Sequence, residues 1–391
     1  MNKGEWKKIG DVCNVLNGYA FKSSNYQKNG VRVIRIANVQ KGHITDDIPQ
    51  FYPISNDISK YMLFEEDLLM SLTGNVGRVG LLEKKLLPAA LNQRVACVRI
   101  KDNKMVNKSY LFHFFNNNYF EHQCILYSQG IAQKNMSTEW LKEYQIYLPS
   151  IEEQRHIAAN LDKANELIAL HKKQLEELDA LAEAEFYKMF GDPVKNEKRW
   201  KKGKIVDTIQ SINYGTSLPA VEGGKYVYLR MNNITYSGHL DLNDLKYINV
   251  EDNSLEKYIV RKGDLLFNRT NSKELVGKTA IFTEEREMVI AGYIIRVRCN
   301  SSFHSRYVWG YLNSKHGKAY LRNLCKNIVG MANINAKELQ SIPLLLPPLT
   351  LQTRFASIIE KIEEQKAQVR KALQESEDLF QRLMQDLFKP D

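Results

Sequence analysis

Cysteine is scarce and scattered along this chain. The five residues Cys13, Cys97, Cys124, Cys299 and Cys325 form no C-x-x-C pair, which argues against zinc and for a reducing compartment. The eight histidines show no metal-ligand spacing either. No apolar run approaches the roughly eighteen residues of a membrane-spanning helix, and the opening MNKGEWKK has no apolar targeting core. A soluble, cytoplasmic protein with no membrane association is therefore expected. Catalytic signatures are missing as well. Gly74, Gly77 and Gly80 are spaced by three, which does not fit the dinucleotide fingerprint. There is no Asn/Asp-Pro-Pro-aromatic motif of an amino-methyltransferase, since Pro347-Pro348 is flanked by leucines. Ser272 to Thr279 lacks the first glycine of a phosphate-binding loop. Asp67, Glu83 and Lys85 echo a metal nuclease core only as any Lys/Glu-rich chain does. No catalytic residue, metal or cofactor is expected on this chain.

The 391 residues, 43% hydrophobic and 26% charged, are ordinary for a globular protein with two or three domains. A net charge of +10 points toward a polyanionic partner.

The clearest feature is a long amphipathic stretch from Gln154 to Phe190 that recurs from Gln352 to Phe388. Its seam is Ile157, Leu161, Ala164, Ile168, His171, Leu175, Leu178, Ala182, Glu185 and Met189. In the second copy the seam is Phe355, Ile359, Ile362, Lys366, Val369, Leu373, Ser376, Phe380, Leu383 and Leu387. Each member lies 198 positions after its counterpart (Ile157 to Phe355, Leu161 to Ile359). Alternating steps of four and three keep one stripe facing a partner helix. The two helices are expected to pack on each other, antiparallel, because no return connection is visible between Gly191 and Trp200. At 1.5 Å per residue each would be roughly 50 Å long. Polar seam members such as His171, Glu185, Lys366 and Ser376 would set register, or lie where their heads reach water.

The regions before each helix repeat too. Trp6-Lys-Lys is answered by Trp200-Lys-Lys, Asp67-Leu-Leu by Asp264-Leu-Leu, and Asn75-Val-Gly-Arg by Leu275-Val-Gly-Lys. Tyr110 to Asn116 is answered by Tyr307 to Asn313, and Leu148-Pro149 by Leu346-Pro347. Strands are predicted at Val31–Ile36, Glu66–Leu72 and Val95–Ile100, and a helix at Tyr110–Phe120. The fold expected is α+β: two similar globular α/β domains, 1–150 and 194–347, separated by two long antiparallel coiled-coil helices, 151–190 and 348–389. The whole is a pseudo-two-fold internal repeat. Gly191 and Pro193 mark the junction, and the basic run from Lys195 to Lys204 reads most simply as a solvated linker, with a phosphate-binding patch as the alternative.

Arginine pairs with guanine and asparagine or glutamine with adenine, so polar loops in a basic protein are candidate base readers. In the first domain these are Arg35, Asn38, Asn75, Arg78, Gln133, Lys134 and Asn135. In the second they are Arg230, Asn233, Asn268, Arg269, Asn271, Lys273, Lys278, Asn333 and Asn335. For any of them the alternative is a solvated loop residue or a local backbone cap. Asp67 and Asp264 read as turn or packing residues.

The order Trp-x-x, Asp-Leu-Leu, Gly-rich loop, Leu-Pro, Gln and long helix, given twice and joined by Met189-Phe-Gly-Asp-Pro193, resembles the specificity (S) subunits of type I restriction-modification systems. The resemblance covers the full length. It implies that the globular domains are target recognition domains and the helices are conserved spacers. It implies double-stranded DNA as ligand, with one half of a split, asymmetric site read by each domain. It further implies two methyltransferase (M) subunits that bind S-adenosylmethionine, and restriction (R) subunits that use ATP and Mg. M subunits would dock on the helices, where Gln154, Arg155, Ile157, Gln352, Arg354 and Phe355 are candidate contacts; ordinary coiled-coil packing is the alternative. The second copy lacks the Glu152-Glu153 pair of the first, so equivalent docking at both ends does not follow. Two other readings stay open: the recognition subunit of another multi-subunit restriction-modification system, and a coiled-coil scaffold whose end domains bind proteins.

Overall fold

The computed structural model describes residues 4–129, 135–325 and 330–388. The chain forms two units: residues 1–171 with 372–391, and residues 172–371. Two helices of 40 residues each, Ile151–Phe190 and Leu349–Phe388, contribute one half to each unit. Each begins three residues before its amphipathic stretch opens at Gln154 or Gln352, immediately after the Pro149-Ser150 and Pro347-Pro348 corners. Ser150 Oγ accepts the Glu153 amide at 3.3 Å, an ordinary helix cap. Neither helix contains glycine or proline, and the first stops at Gly191, whose φ of +78° suits the left-handed conformation that ends helices.

In unit 1 an antiparallel sheet has the strand order Cys13–Asn17, Val95–Ile100, Leu68–Ser71, Val79–Leu81. Its central strands are apolar on both faces because both faces are covered. Leu68, Met70, Ala96 and Val98 join a core with the helix Lys108–Phe115, while Leu69, Val95 and Cys97 join a second core on the opposite side. Beyond that second core Val31–Ile34 runs parallel to Ala89–Leu91 and antiparallel to Phe51–Tyr52. The edge strand Glu5–Lys8 pairs with Gln145–Leu148, which leads into the long helix.

Unit 2 repeats each part. Its main sheet is Ile209–Tyr214, Ile294–Cys299, Leu265–Asn268, Thr279–Ile281. Its second sheet is built on Tyr226–Leu229 beside parallel Met288–Ile290, and Lys201–Lys204 pairs with Pro343–Leu346. The Asp-Leu-Leu aspartates do the same work in both units. Asp67 caps the Phe64 amide (2.8 Å) and takes Arg99 Nε (2.7 Å). Asp264 caps the Arg261 amide and takes Arg298 Nε, both at 2.9 Å.

Three expectations are revised. The strand predicted to reach Ile36 stops at Ile34 and turns through Ile36–Asn38. The strand predicted from Glu66 begins at Leu68, because Glu66 has a positive φ of 63°. The aromatic helix predicted to run through Phe120 breaks into Lys108–Phe115 and Asn118–Gln129, since Asn117 Oδ1 captures the Phe120 amide at 2.7 Å and starts a new helix.

Every seam position is buried or half-buried, but the deepest residues at the two C-terminal ends are one position further on: Phe186, Phe190, Met384 and Phe388. Within unit 2 the helices run in opposite directions. Phe190 and Phe186 meet Phe355 at ring distances of 5.3 and 5.8 Å, and further along Asp179 meets Lys366. Lys366 does not reach water. It is 1% exposed, with Nζ 2.6 Å from Asp179, 2.8 Å from His239 Nε2 and 3.1 Å from Glu363. Burial works to raise the Asp179 carboxyl, but His239 and Lys366 together outweigh it and hold it at about 2. Among the described residues no helix is long and apolar enough to cross a membrane.

Candidate nucleic-acid interface

The strands of each main sheet end in a loop frame fixed by backbone hydrogen bonds that match between units. Leu72 N–H donates to Arg94 O at 3.0 Å, as Arg269 N–H does to Tyr293 O at 2.9 Å. Met136 N–H donates to Leu72 O, as Ile334 N–H does to Arg269 O, both at 2.8 Å. Gln93 N–H reaches Tyr19 O at 2.9 Å, as Gly292 N–H reaches Thr216 O at 2.7 Å. The frame is one structure built twice from different side chains. Where unit 1 has Leu72, Gly74 and Arg94, unit 2 has Arg269, Asn271 and Tyr293.

In unit 1 the frame opens on a cavity of about 600 Å³ lined by Leu72, Thr73, Gly74, Gln93, Arg94, Asn135 and Met136. Gln93, Arg94 and Asn135 are exposed, and Asn135 is bridged to Thr73. In unit 2 the single bridge becomes a ladder, Thr270–Ser272 against Met331–Asn333, with Thr270 Oγ1 donating to Asn333 Oδ1 at 3.3 Å. The Arg269 guanidinium lies 4.8 Å from the centre of the Tyr214 ring. That ring is anchored by the Ala336 amide donating to its hydroxyl at 2.8 Å. A guanidinium stacked on an aromatic face is pre-oriented. Tyr293, 53% exposed, stands beside it. Such a patch offers a cationic fork, amide groups and an aromatic face, the groups that read bases and hold phosphates.

The frame gathers Asn135, Arg269, Asn271 and Asn333 of the candidate residues. Asn75 is exposed directly after Gly74, and Lys273 is half-buried on the loop after Asn271. Gln133 and Lys134 lie outside the described residues.

Several candidates have partners within the fold. Asn38 and Asn233 are buried, and their side chains accept the Arg35 and Arg230 amides at 3.0 and 2.8 Å. Asn268 is fully buried and accepts the Thr270 amide at 3.1 Å. Lys278 is pulled below its usual range by burial and donates to Met231 O at 2.9 Å. Arg78 donates to Gln40 at 2.8 Å, Arg35 to Ile48 O at 2.8 Å and Arg230 to Asp244 at 2.7 Å. Asn335 caps the helix Ala336–Ser341. Short polar side chains at turns satisfy backbone groups first.

The docking candidates divide in the same way. Gln154 and Gln352 are buried and spent internally. Gln154 accepts the Asn107 amide and donates to Met105 O and Pro149 O, while Gln352 accepts the His304 amide and donates to Pro347 O. Ile157 and Phe355 belong to the cores. Of these six, Arg155 and Arg354 are the exposed ones.

Gln93, Arg94, Tyr214 and Tyr293 were not among the candidates. The signal was present: Asn92-Gln-Arg and Ala291-Gly-Tyr stand directly before the equivalent strands that begin at Val95 and Ile294.

The family model for the type I restriction modification DNA specificity domain matches residues 2–180 and again 197–376, in step with the structural duplication. The EcoKI specificity subunit of Escherichia coli K12 is 22% identical over 97% of this chain and 87% of its own length. The EcoBI specificity subunit of Escherichia coli is 25% identical over 98% and 85%. The solved structure of a type I restriction-modification S subunit from M. genitalium covers 100% of this chain and 98% of its own, at TM-score 0.58 and 15% identity. A chain from a structure titled for complex assembly and conformational transition of the type I R-M system covers 100% and 99%, at TM-score 0.59 and 17% identity. This chain, which carries the specificity domain twice, belongs to the type I restriction-modification specificity-subunit family.

Proposed function

We propose that this chain selects the DNA site of a type I restriction-modification complex, reading a bipartite, asymmetric sequence with one half-site per unit. The observation that carries the reading is the loop frame, which three matching backbone hydrogen bonds hold in both units while its side chains differ. A repeated frame with unlike side chains suits two readers of unlike sequence, and the net charge of +10 suits a phosphate-lined ligand. The two long antiparallel helices act as a spacer, leaving unread base pairs between the half-sites. Methyltransferase subunits, two per chain, dock along the helices and bring S-adenosylmethionine; restriction subunits bring ATP and Mg. Recognition is this chain's part, and the chemistry belongs to those partners.

The test is nuclease protection of DNA by this chain together with its methyltransferase partner. Protection of two short stretches flanking an unprotected or sequence-independent gap is expected. Protection that ignores sequence would overturn the reading in favour of a protein-binding scaffold.

A further inference from the structure

Lys318, in the helix Lys315–Leu324, is only 7% exposed, yet among the described residues no carboxylate pairs with it. Its Nζ lies 4.8 Å from the centre of the Tyr236 ring and 3.5 Å from Gly277 O, the outer limit of a hydrogen bond. Burial first, then the charges of Lys278 and Arg322, pull its ammonium down to about 8. An unpaired cation at this depth is costly to the fold.

The lysine lines a cavity of about 370 Å³ whose apolar walls include Ala182, Phe186, Trp309 and Phe355, with Arg322 also at its edge. The acids of the cavity are already engaged. Glu183 takes the Lys315 amide at 2.9 Å and its ammonium at 3.3 Å, and Asp179 takes Lys366 at 2.6 Å. Asn313 donates through Nδ2 to Thr279 O and Trp309 O, and its buried Oδ1 has no partner among the described residues. Unit 1 has a cavity at the equivalent place, about 620 Å³, lined by Asn116, Phe380 and Met384. There Glu121 stands at the position of Lys318 and is neutralised by Lys41 at 2.6 Å. The unpaired cation is particular to unit 2.

We propose that the unit 2 cavity is a docking pocket for one aspartate or glutamate side chain of the methyltransferase subunit, held by Lys318 with Arg322 beside it; this rests on the reading of the chain as a specificity subunit. Charge selects a carboxylate, and the unpaired Asn313 Oδ1 accepts an N–H from the same partner segment. The walls select a protein over DNA. A phosphodiester is bonded on two sides within its backbone and cannot lower its charge into a hole lined by Phe186 and Trp309, whereas a carboxylate on a short aliphatic stem can. Part of the wall is the long helix itself, the element along which the methyltransferase docks in the proposed assembly.

The substitution Lys318→Met keeps length and apolar volume while removing the charge. In the isolated chain it is expected to raise the melting temperature by a few degrees. It is expected to weaken binding of the methyltransferase subunit about tenfold or more. In the unmodified protein, amine-reactive labelling read by mass spectrometry should modify Lys318 in the lone chain and be blocked once the methyltransferase subunit is added. A complex that forms with unchanged affinity and leaves Lys318 equally reactive overturns the pocket while leaving the specificity-subunit reading intact. Protection of Lys318 by DNA alone would assign the pocket to phosphate and also overturn it. Failure of the unmodified chain to bind any methyltransferase subunit removes the specificity-subunit reading, and the pocket falls with it.

Discussion

Phe388 lies with its ring 5.3 Å from that of Tyr110, although the two stand near the C-terminus and in the first domain respectively. The repeat crosses over. Tyr307, the counterpart of Tyr110, receives Phe190 from the first helix at 4.6 Å, and each tyrosine hydroxyl donates to the strand before the following helix, Tyr147 O at 2.8 Å and Leu345 O at 2.7 Å. Each core is therefore completed by the helix end belonging to the other repeat. Phe388→Ala should cost about 3–4 kcal/mol through the cavity it leaves, and the loss should be confined to unit 1. Hydrogen exchange checks this: amides of Val95–Ile100 should lose protection while those of Ile294–Cys299 keep it, and Phe190→Ala should give the reverse.

Gln352→Ala should destabilise unit 2 by about 2–3 kcal/mol, because the part-buried His304 N–H and the buried Pro347 O would both lose their partner. Arg354→Ala, two residues on and exposed, should leave stability within about 0.5 kcal/mol. Urea denaturation of the full chain separates the two.

Arg269→Ala should relax the choice of base at one position of the half-site read by unit 2, at a loss of about 1–3 kcal/mol of discrimination. The other half-site should be unchanged. Arg94→Ala should do the converse through unit 1. Binding of the reconstituted complex to a library randomised at each half-site in turn measures both effects.

Asp179 has a carboxyl held at about 2, below its ordinary 3.8. A depressed carboxylate contributes stability above the unfolded pKa and loses it as pH falls through the folded one. The contribution is therefore full above about pH 4 and lost between there and pH 2. Because Asp179 is half exposed and Glu363 remains beside Lys366, solvent screening keeps the loss to about 1 kcal/mol. Asp179→Asn should lower the melting temperature at pH 6 and flatten its decline between pH 4 and pH 2. An unaltered pH profile would remove the cluster as a source of acid sensitivity.

The duplication, the two long helices and most core strands were legible because periodicity and apolar runs report burial directly. Leu68 and Met70 face one core and Leu69 the other, and that two-sided burial is written as an unbroken apolar run. What escaped was the use of polar side chains. Asn38, Asn233 and Asn268 have the same composition signature as base-reading residues, and only their distance to a backbone N–H distinguishes a cap from a contact. Gln154 and Gln352 looked like surface because glutamine usually is; their burial follows from the corners at Pro149 and Pro347, which leave backbone groups to be satisfied. Arg94 and Tyr293 escaped for another reason. They share a position in the frame but no chemistry, and likeness between repeats draws attention away from positions where the repeats differ. The final turns of both helices rotate by one residue because Phe186, Phe190, Met384 and Phe388 pack into a globular core as well as against a helix, which the seam periodicity alone does not contain.

Sequencing of methylated bases in the DNA of cells that carry this chain with its methyltransferase subunit tests the central claim most directly. One asymmetric site is predicted, with two short specified stretches of different sequence on either side of an unspecified gap. Arg269→Ala should loosen only one of those stretches. Methylation at a single continuous sequence, or without sequence preference, would contradict the assignment of one half-site to each unit.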